Sequence, residues 1–298
     1  MKAMNDLIKR IIREKGLGSP DQLAKMVLQD ATIKAFLTKH QANLSAAQIT
    51  ASLPVLYEFY SQKQQSNPVM AGYEPQLFLA GSVIQIKYLK TAKQLAAEQE
   101  RRVKRNVQLV NLPLKLRQVN LYDLDRTPDR LTALTKVSQF LAVYQQGQAP
   151  KGLYLSGDFG VGKTYILAGL ANAVAKLEKR VVFLHVPTFI ASLASHFADN
   201  SLQAEIKRVA ETDVLILDDI GAETLSQWSR DDVLGVILQV RMDNSLPTFF
   251  SSNLDLTSLE SHFAETKDAI DPVKAARLMA RVRFLAEEVV VSGPNRRN

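Results

Sequence analysis

The chain has 298 residues, enough for two domains, with an ordinary globular balance of 46% hydrophobic and 22% charged residues. No apolar run approaches the roughly 20 residues that cross a bilayer, so the chain reads as soluble, and the lack of any cysteine excludes disulfides and thiolate metal sites. The net charge of +7 is concentrated early: residues 1–118 hold 18 Lys/Arg against 8 Asp/Glu, and the remainder 19 against 22.

Residues 1–16 carry charges throughout and lack both the apolar stretch and the cleavage site of a signal peptide, which predicts a cytoplasmic protein. Leu7, Ile8, Ile11 and Ile12 recur at helical spacing, and Gly16-Leu17-Gly18 supplies a stop. Ser19-Pro20-Asp21-Gln22 then has a capping serine, a proline at the first helical position and a glutamine that completes a capping box. Ser45-Ala46-Ala47-Gln48 repeats that pattern before Ile49, Leu53, Leu56, Phe59 and Tyr60, with Pro54 expected to bend or interrupt the helix. Between residues 67 and 89, Pro68, Gly72, Pro75 and Gly81 punctuate short apolar runs, and Ile84, Ile86 and Tyr88 alternate with Gln85 and Lys87, as in a small hairpin or sheet. Residues 91–108 return to a polar helical pattern that suits a bridge between domains. The boundary is placed near 110, giving a mainly helical N-terminal domain with a basic linker over 1–110 and a second domain over 111–298. Residues 101–118 hold Arg101, Arg102, Lys104, Arg105, Lys115 and Arg117 and no acid. Such a run suits either nucleic-acid phosphates or a solvated helix face.

From residue 130 strands and helices alternate, with candidate strands at 152–156, 181–185, 214–217, 247–251 and 288–291. This predicts an α/β core with a central parallel sheet covered on both faces. Gly157-Asp158-Phe159-Gly160-Val161-Gly162-Lys163-Thr164 follows the first of these strands and opens a helix at Tyr165, the context a Walker A phosphate loop requires. Its glycines let backbone N–H groups turn toward the phosphates of ATP, and the helix N-terminus adds partial positive charge. Lys163 is expected on the β- and γ-phosphates and the Thr164 hydroxyl on Mg²⁺. The second half of the site is the apolar run 214–217 ending in Asp218-Asp219, 55 residues past Lys163. Asp218 is expected to hold Mg²⁺, in part through water. Asp219 either orients or deprotonates the attacking water or, more plainly, caps the following turn. The four histidines, His40, His185, His196 and His262, show no ligand spacing. His185 reads as a core or loop residue and Trp228 as a packing anchor at a helix start.

The order of these motifs resembles that of the AAA+ ATPases, with a truncated lid. The resemblance implies that Asn253, closing Thr248-Phe249-Phe250-Ser251-Ser252-Asn253, is the sensor 1 residue facing the γ-phosphate; by itself an asparagine after a strand is a turn residue. It also implies that Arg281 in Arg277-Leu278-Met279-Ala280-Arg281-Val282-Arg283 is an arginine finger for a neighbouring subunit, with Arg277 and Arg283 as alternates. Read by its spacing alone, the segment is a basic amphipathic helix on the surface. A sensor 2 arginine is missing from its usual lid position, which leaves Arg296 or Arg297 to take its place.

Within that family Gly152-Leu153-Tyr154-Leu155, Asp218-Asp219-Ile220-Gly221-Ala222-Glu223, Leu246-Pro247-Thr248-Phe249-Phe250-Ser251-Ser252-Asn253 and Gly293-Pro294-Asn295-Arg296-Arg297 resemble the bacterial helicase loaders of the DnaI/DnaC type, and the DnaI kind more closely. The resemblance implies a primosome ATPase that binds single-stranded DNA, self-associates when assembled, and grips the hexameric replicative helicase through its N-terminal domain. Some DnaI relatives carry a cysteine/histidine zinc site there; this chain has no cysteine, and apolar packing is expected instead. The transposition helpers of the IstB type share the ATPase signature, and an ATP-gated adaptor with negligible hydrolysis is a third possibility, with residues 1–100 separating loader from helper.

Overall fold

In the computed structural model, residues 20–64, 71–110, 112–193, 201–267 and 269–296 are described. The expected helix at residues 7–12, its stop at 16–18, the Ser19 cap and Arg297 lie outside the described residues. The chain divides into two units, Met1–Glu98 and Gln99–Asn298.

The first unit is built from α1 (Pro20–Leu28), α2 (Ala31–Lys39), α3 (Ala46–Ala51), α4 (Leu53–Gln64) and an antiparallel hairpin of β1 (Tyr73–Ala80) and β2 (Val83–Lys90). Helix α2 starts where the Asp30 carboxylate accepts from the Thr32 and Ile33 N–H groups. Helix α3 starts at the capping box of Ser45 and Gln48 that the sequence predicts. The interruption expected at Pro54 is present: the helical segment breaks at Ser52, two residues before the proline, whose ring falls in the first turn of α4, where no intrahelical donor is needed. The hairpin turns over two residues, Gly81 taking a left-handed φ of 63°. Val27, Ile33, Leu56, Phe59, Leu77 and Ile84 form its apolar core, joining three helices to both strands.

The division between the units falls within α5 (Ala92–Asn106). The second unit holds β3 (Val107–Val110), α6 (Pro128–Gln145), β4 (Gly152–Ser156), α7 (Lys163–Lys176), β5 (Val181–His185), α8 (Val186–Ser192), α9 (Leu202–Ala210), β6 (Val214–Asp218), α10 (Gly235–Asp243), β7 (Thr248–Ser252), α11 (Leu256–Ala264), α12 (Pro272–Leu285) and β8 (Ala286–Val290). Its six strands are all parallel, in the order β3-β5-β6-β7-β4-β8. Val107–Val110, read from the sequence as part of the bridging segment, is the edge strand beside β5; a four-residue strand directly after a helix gives too short a pattern to separate from it.

Burial on both faces explains the unbroken apolar strands. Along β6, Leu215 and Leu217 enter one apolar cluster while Val214 and Ile216 enter the other. Arg241 on α10 is fully buried and ties the sheet's lower edge together: it donates to the carbonyls of Ala210, Thr212 and Pro247 and to the Thr248 hydroxyl. Trp228 packs against the cluster that holds Leu215, just before a π-helical turn over Ser229–Leu234. The carboxyl ends of β4, β5, β6 and β7 meet at one rim, where open α/β sheets place their ligands.

Candidate functional site

Strand β4 ends at Ser156 and the loop from Gly157 to Gly162 leads into α7, whose first residue is Lys163. Two glycines are required by close approach. Gly157, at φ 146°, has the Val291 carbonyl where a Cβ would stand, and Gly160, at φ 82°, has the Asn295 side chain there. The loop is therefore held from behind by the chain that follows β8. Val291 N–H donates to Ser156 O at 2.7 Å and Arg296 N–H to Gly160 O at 3.0 Å.

The Lys163 ammonium is buried and donates to the carbonyls of Gly157 (2.7 Å) and Asp158 (2.8 Å) and to Asn253 Oδ1 (2.8 Å). Asn253, at the end of β7, turns its Nδ2 to Asp219 Oδ1 at 3.1 Å. One side chain thus bridges the phosphate-loop lysine and the second aspartate. Thr164 Oγ1 donates to Asp218 Oδ1 at 2.9 Å, and Ser251 Oγ donates to the same oxygen at 2.5 Å. Asp218 is 3% exposed; burial pushes its carboxyl above the usual carboxylate range, with the Ser251 and Thr164 hydroxyls pulling the other way. Asp219 takes a left-handed φ of 59°, its N–H held by Ser251 Oγ at 3.0 Å. That backbone turn aims its carboxylate away from the strand and toward the cleft.

A cleft of about 930 Å³ joins these groups and is lined also by Phe159, Tyr165 and residues of the 112–125 segment. Lys163, Thr164, Asp218, Asp219 and Asn253, far apart in sequence, share this one site. Arg281 does not: it donates to the Gly235 carbonyl at 3.0 Å and is absent from the cleft lining, as are Arg277 and Arg283, the last paired with Glu260 at 2.7 Å.

Sequence reasoning missed several residues that line the cleft. His185, read as a core or loop residue, ends β5 with Nδ1 2.7 Å from Thr188 Oγ1 and Nε2 3.6 Å from Asp219 Oδ2. Ser251 lay inside a quoted motif without a role. Arg130, buried in the first turn of α6, carries no motif; only the fold brings it beside Gly162.

Comparison with known proteins matches residues 1–88 to the model of the primosomal protein DnaI N-terminus and residues 82–297 to that of the IstB-like ATP binding protein. The replicative helicase loader DnaI of Bacillus subtilis is 35% identical over 289 residues, covering 93% of each chain. A putative ATP-binding protein of insertion sequence IS1162 from Pseudomonas fluorescens is 32% identical over 127 residues, 42% of this chain and 53% of that one. Among solved structures, a DnaI crystal structure aligns with a TM-score of 0.56 at 39% identity, covering 66% of this chain and all of that one. A protein described as a putative primosome component, from Streptococcus pyogenes serotype M3, aligns at 0.53 and 38%, covering 65% of this chain and 97% of that one. With a full-length relative, an N-terminal match and a phosphate-binding α/β core all in agreement, the chain belongs to the DnaI-type replicative helicase loaders, a branch of the AAA+ ATPases.

Proposed function

We propose that this chain binds and slowly hydrolyses ATP in the cleft, and that it uses the ATP cycle to deliver a hexameric replicative helicase to single-stranded DNA in the cytoplasm. The observation that carries the chemical part is the Asn253 bridge. It links Lys163, the cation for the outer phosphates, to Asp219, the carboxylate placed to orient the attacking water. Nucleotide exchanges the lysine's carbonyl partners for phosphate oxygens, so occupancy of the site is transmitted through Asn253 to the position of Asp219. His185, fixed by Thr188, faces the other Asp219 oxygen and limits its rotation.

The Thr164 hydroxyl and Asp218 carboxylate, adjacent hard oxygen donors at 2.9 Å, fit Mg²⁺, which takes few protein ligands and completes its shell with phosphate and water. When bound, the ion neutralises charge on the transferring phosphoryl group. Arg281 lies outside the cleft of its own chain, which suits a finger offered to a neighbour's nucleotide in a self-associated assembly, with hydrolysis dependent on that assembly.

The N-terminal unit is proposed to grip the helicase and the second unit to be the ATPase domain, with the boundary expected near 110 moved into α5 because β3 (Val107–Val110) pairs with β5 of the ATPase sheet. The match of residues 1–88 to the primosomal DnaI N-terminus favours this over a transposition helper, because the ATPase region alone matches both kinds. Co-purification with the replicative helicase, followed by single-turnover ATP hydrolysis with and without helicase and single-stranded DNA, tests the proposal. A stable complex with stimulated turnover is expected. Failure to bind helicase removes the loader reading; binding with no turnover leaves an ATP-gated adaptor.

A further inference from the structure

The cleft contains a charge arrangement that the Walker residues do not use. Arg130 is 3% exposed, yet its Nε finds no acceptor among the described residues, and its Nη1 reaches only the Asp125 carbonyl at 3.4 Å. Its Nη2 lies 3.2 Å from where a Cβ on Gly162 would stand, directly behind the residue that precedes Lys163. Beside it, Arg296 is anchored to the phosphate loop through its main-chain bond to Gly160, and its Nη1 pairs with Asp125 Oδ2 at 2.5 Å. Both guanidinium groups therefore converge on Asp125, and all three residues line the cleft with Gly160, Gly162 and Lys163. Burial first, and then the charge of Arg296, lower the pKa of Arg130, with Asp125 opposing.

A buried guanidinium with an unused donor, held beside a second one, is destabilising unless an anion shares the site. Asp125 supplies little of that compensation because its side chain is 70% exposed, and an exposed ion pair is weak. The polyphosphate of a nucleotide held by the loop is the anion that fits, since planar guanidinium forks pair with phosphate oxygens two at a time.

The family resemblance already offers Arg296 as a stand-in for sensor 2; we propose that Arg130 joins it as a second guanidinium, completing a clamp on the nucleotide phosphates in the cleft of the same chain, and that Asp125 is the built-in competitor, displaced from Arg296 when nucleotide binds. The inference rests on the nucleotide site proposed above. Affinity is then the intrinsic value reduced by the fraction of molecules in which Asp125 holds Arg296. Because that pair is exposed, the reduction amounts to a few-fold.

Calorimetric titration of ATP, ADP and AMP into the full chain tests this. Arg296→Gln should weaken ATP and ADP about tenfold, one bidentate contact's worth, while AMP, which lacks the outer phosphates, changes little. Asp125→Asn should tighten ATP by about two- to fivefold, and this gain should vanish in the Arg296→Gln background, as coupled residues require. Arg130→Lys, which keeps the charge and loses the fork, should weaken ATP as Arg296→Gln does. If that buried variant fails to fold, the two more accessible positions still decide. Unchanged ATP affinity in Arg296→Gln overturns the clamp. An Asp125→Asn gain that persists in the Arg296→Gln background overturns the competition, because a general charge effect needs no Arg296. Lys163→Ala separates the two levels. If it retains ATP, the nucleotide site itself is misplaced and the clamp falls with it; if it loses ATP while the other variants match wild type, the clamp alone is wrong.

Discussion

Ser251→Ala removes one hydroxyl from the base of the site, and the structure sets the size of the effect. Ser251 is 2% exposed; it donates to Asp218 Oδ1 at 2.5 Å and accepts the Asp219 N–H at 3.0 Å. A hydrogen bond to an ionised carboxylate contributes about 1.5–3 kcal/mol, and the Asp219 N–H loses its partner as well, so the variant should be destabilised by about 2–4 kcal/mol at pH values where Asp218 is ionised. The sign of the pH dependence follows from Asp218. Its folded pKa is already raised, so between the unfolded value of 3.8 and the folded one the folded state binds more protons, and wild-type stability falls as pH rises through that window. Loss of the Ser251 donor raises the folded pKa further and steepens the fall. The difference between variant and wild type should therefore be largest above the window and shrink as Asp218 becomes protonated. Urea unfolding followed through Trp228, the chain's sole tryptophan, reports the ATPase unit alone. A destabilisation independent of pH, or one that grows as pH falls, would show that Ser251 acts by packing and not by holding a carboxylate.

At the nucleotide site, Lys163→Ala should abolish ATP binding, whereas Asp219→Asn should bind ATP and lose turnover; equal loss of binding in titrations of both would mean the roles are wrongly divided. Arg281→Ala should keep the ATP affinity of the single chain and lose assembly-dependent hydrolysis. Mixing it with Asp219→Asn should restore some activity, and no rescue at any ratio, with both variants assembling, would argue against a finger acting between subunits. A fragment of residues 1–105 should fold alone and bind the helicase in pull-down without nucleotide, and chelators should leave its circular dichroism unchanged because it has no cysteine. Equal helicase capture by residues 111–298 would refute that division of labour.

What could be read from the sequence was whatever is contiguous. The loop from Gly157 to Thr164 and the run ending in Asp218-Asp219 each carry their own flanking pattern, and both sit where that pattern puts them, at the carboxyl ends of β4 and β6. Asn253 required the order of several motifs, since an asparagine after a strand is ordinarily a turn residue. Arg130 was beyond reach in a different sense, since only the fold brings it beside Gly162, whereas Arg296 was named through the family resemblance and only its anchorage to Gly160 was not foreseen. His185 ends its strand bonded to Thr188, as a satisfied histidine should, but a lone histidine after an apolar strand gives no hint that Asp219 lies beside it. Val107–Val110 was hidden by brevity, whereas Pro54 marked the break in its helical segment to within two residues.

The position of β4 also bears on synthesis. Its Tyr154 is flanked by Phe250 on β7 and Glu288 on β8, and Gly157 lies flush against Val291. On the ribosome, the phosphate loop emerges long before either flanking strand and cannot reach its final shape until the residues that back it have left the exit tunnel. Contacts of such long sequence separation form late and slowly. Premature release before β8 would therefore leave a chain that has its whole N-terminal unit but no competent nucleotide site. With the helicase grip proposed for the N-terminal unit, such a product would occupy a helicase without answering to ATP, so truncation before β8 is expected to interfere with the intact chain.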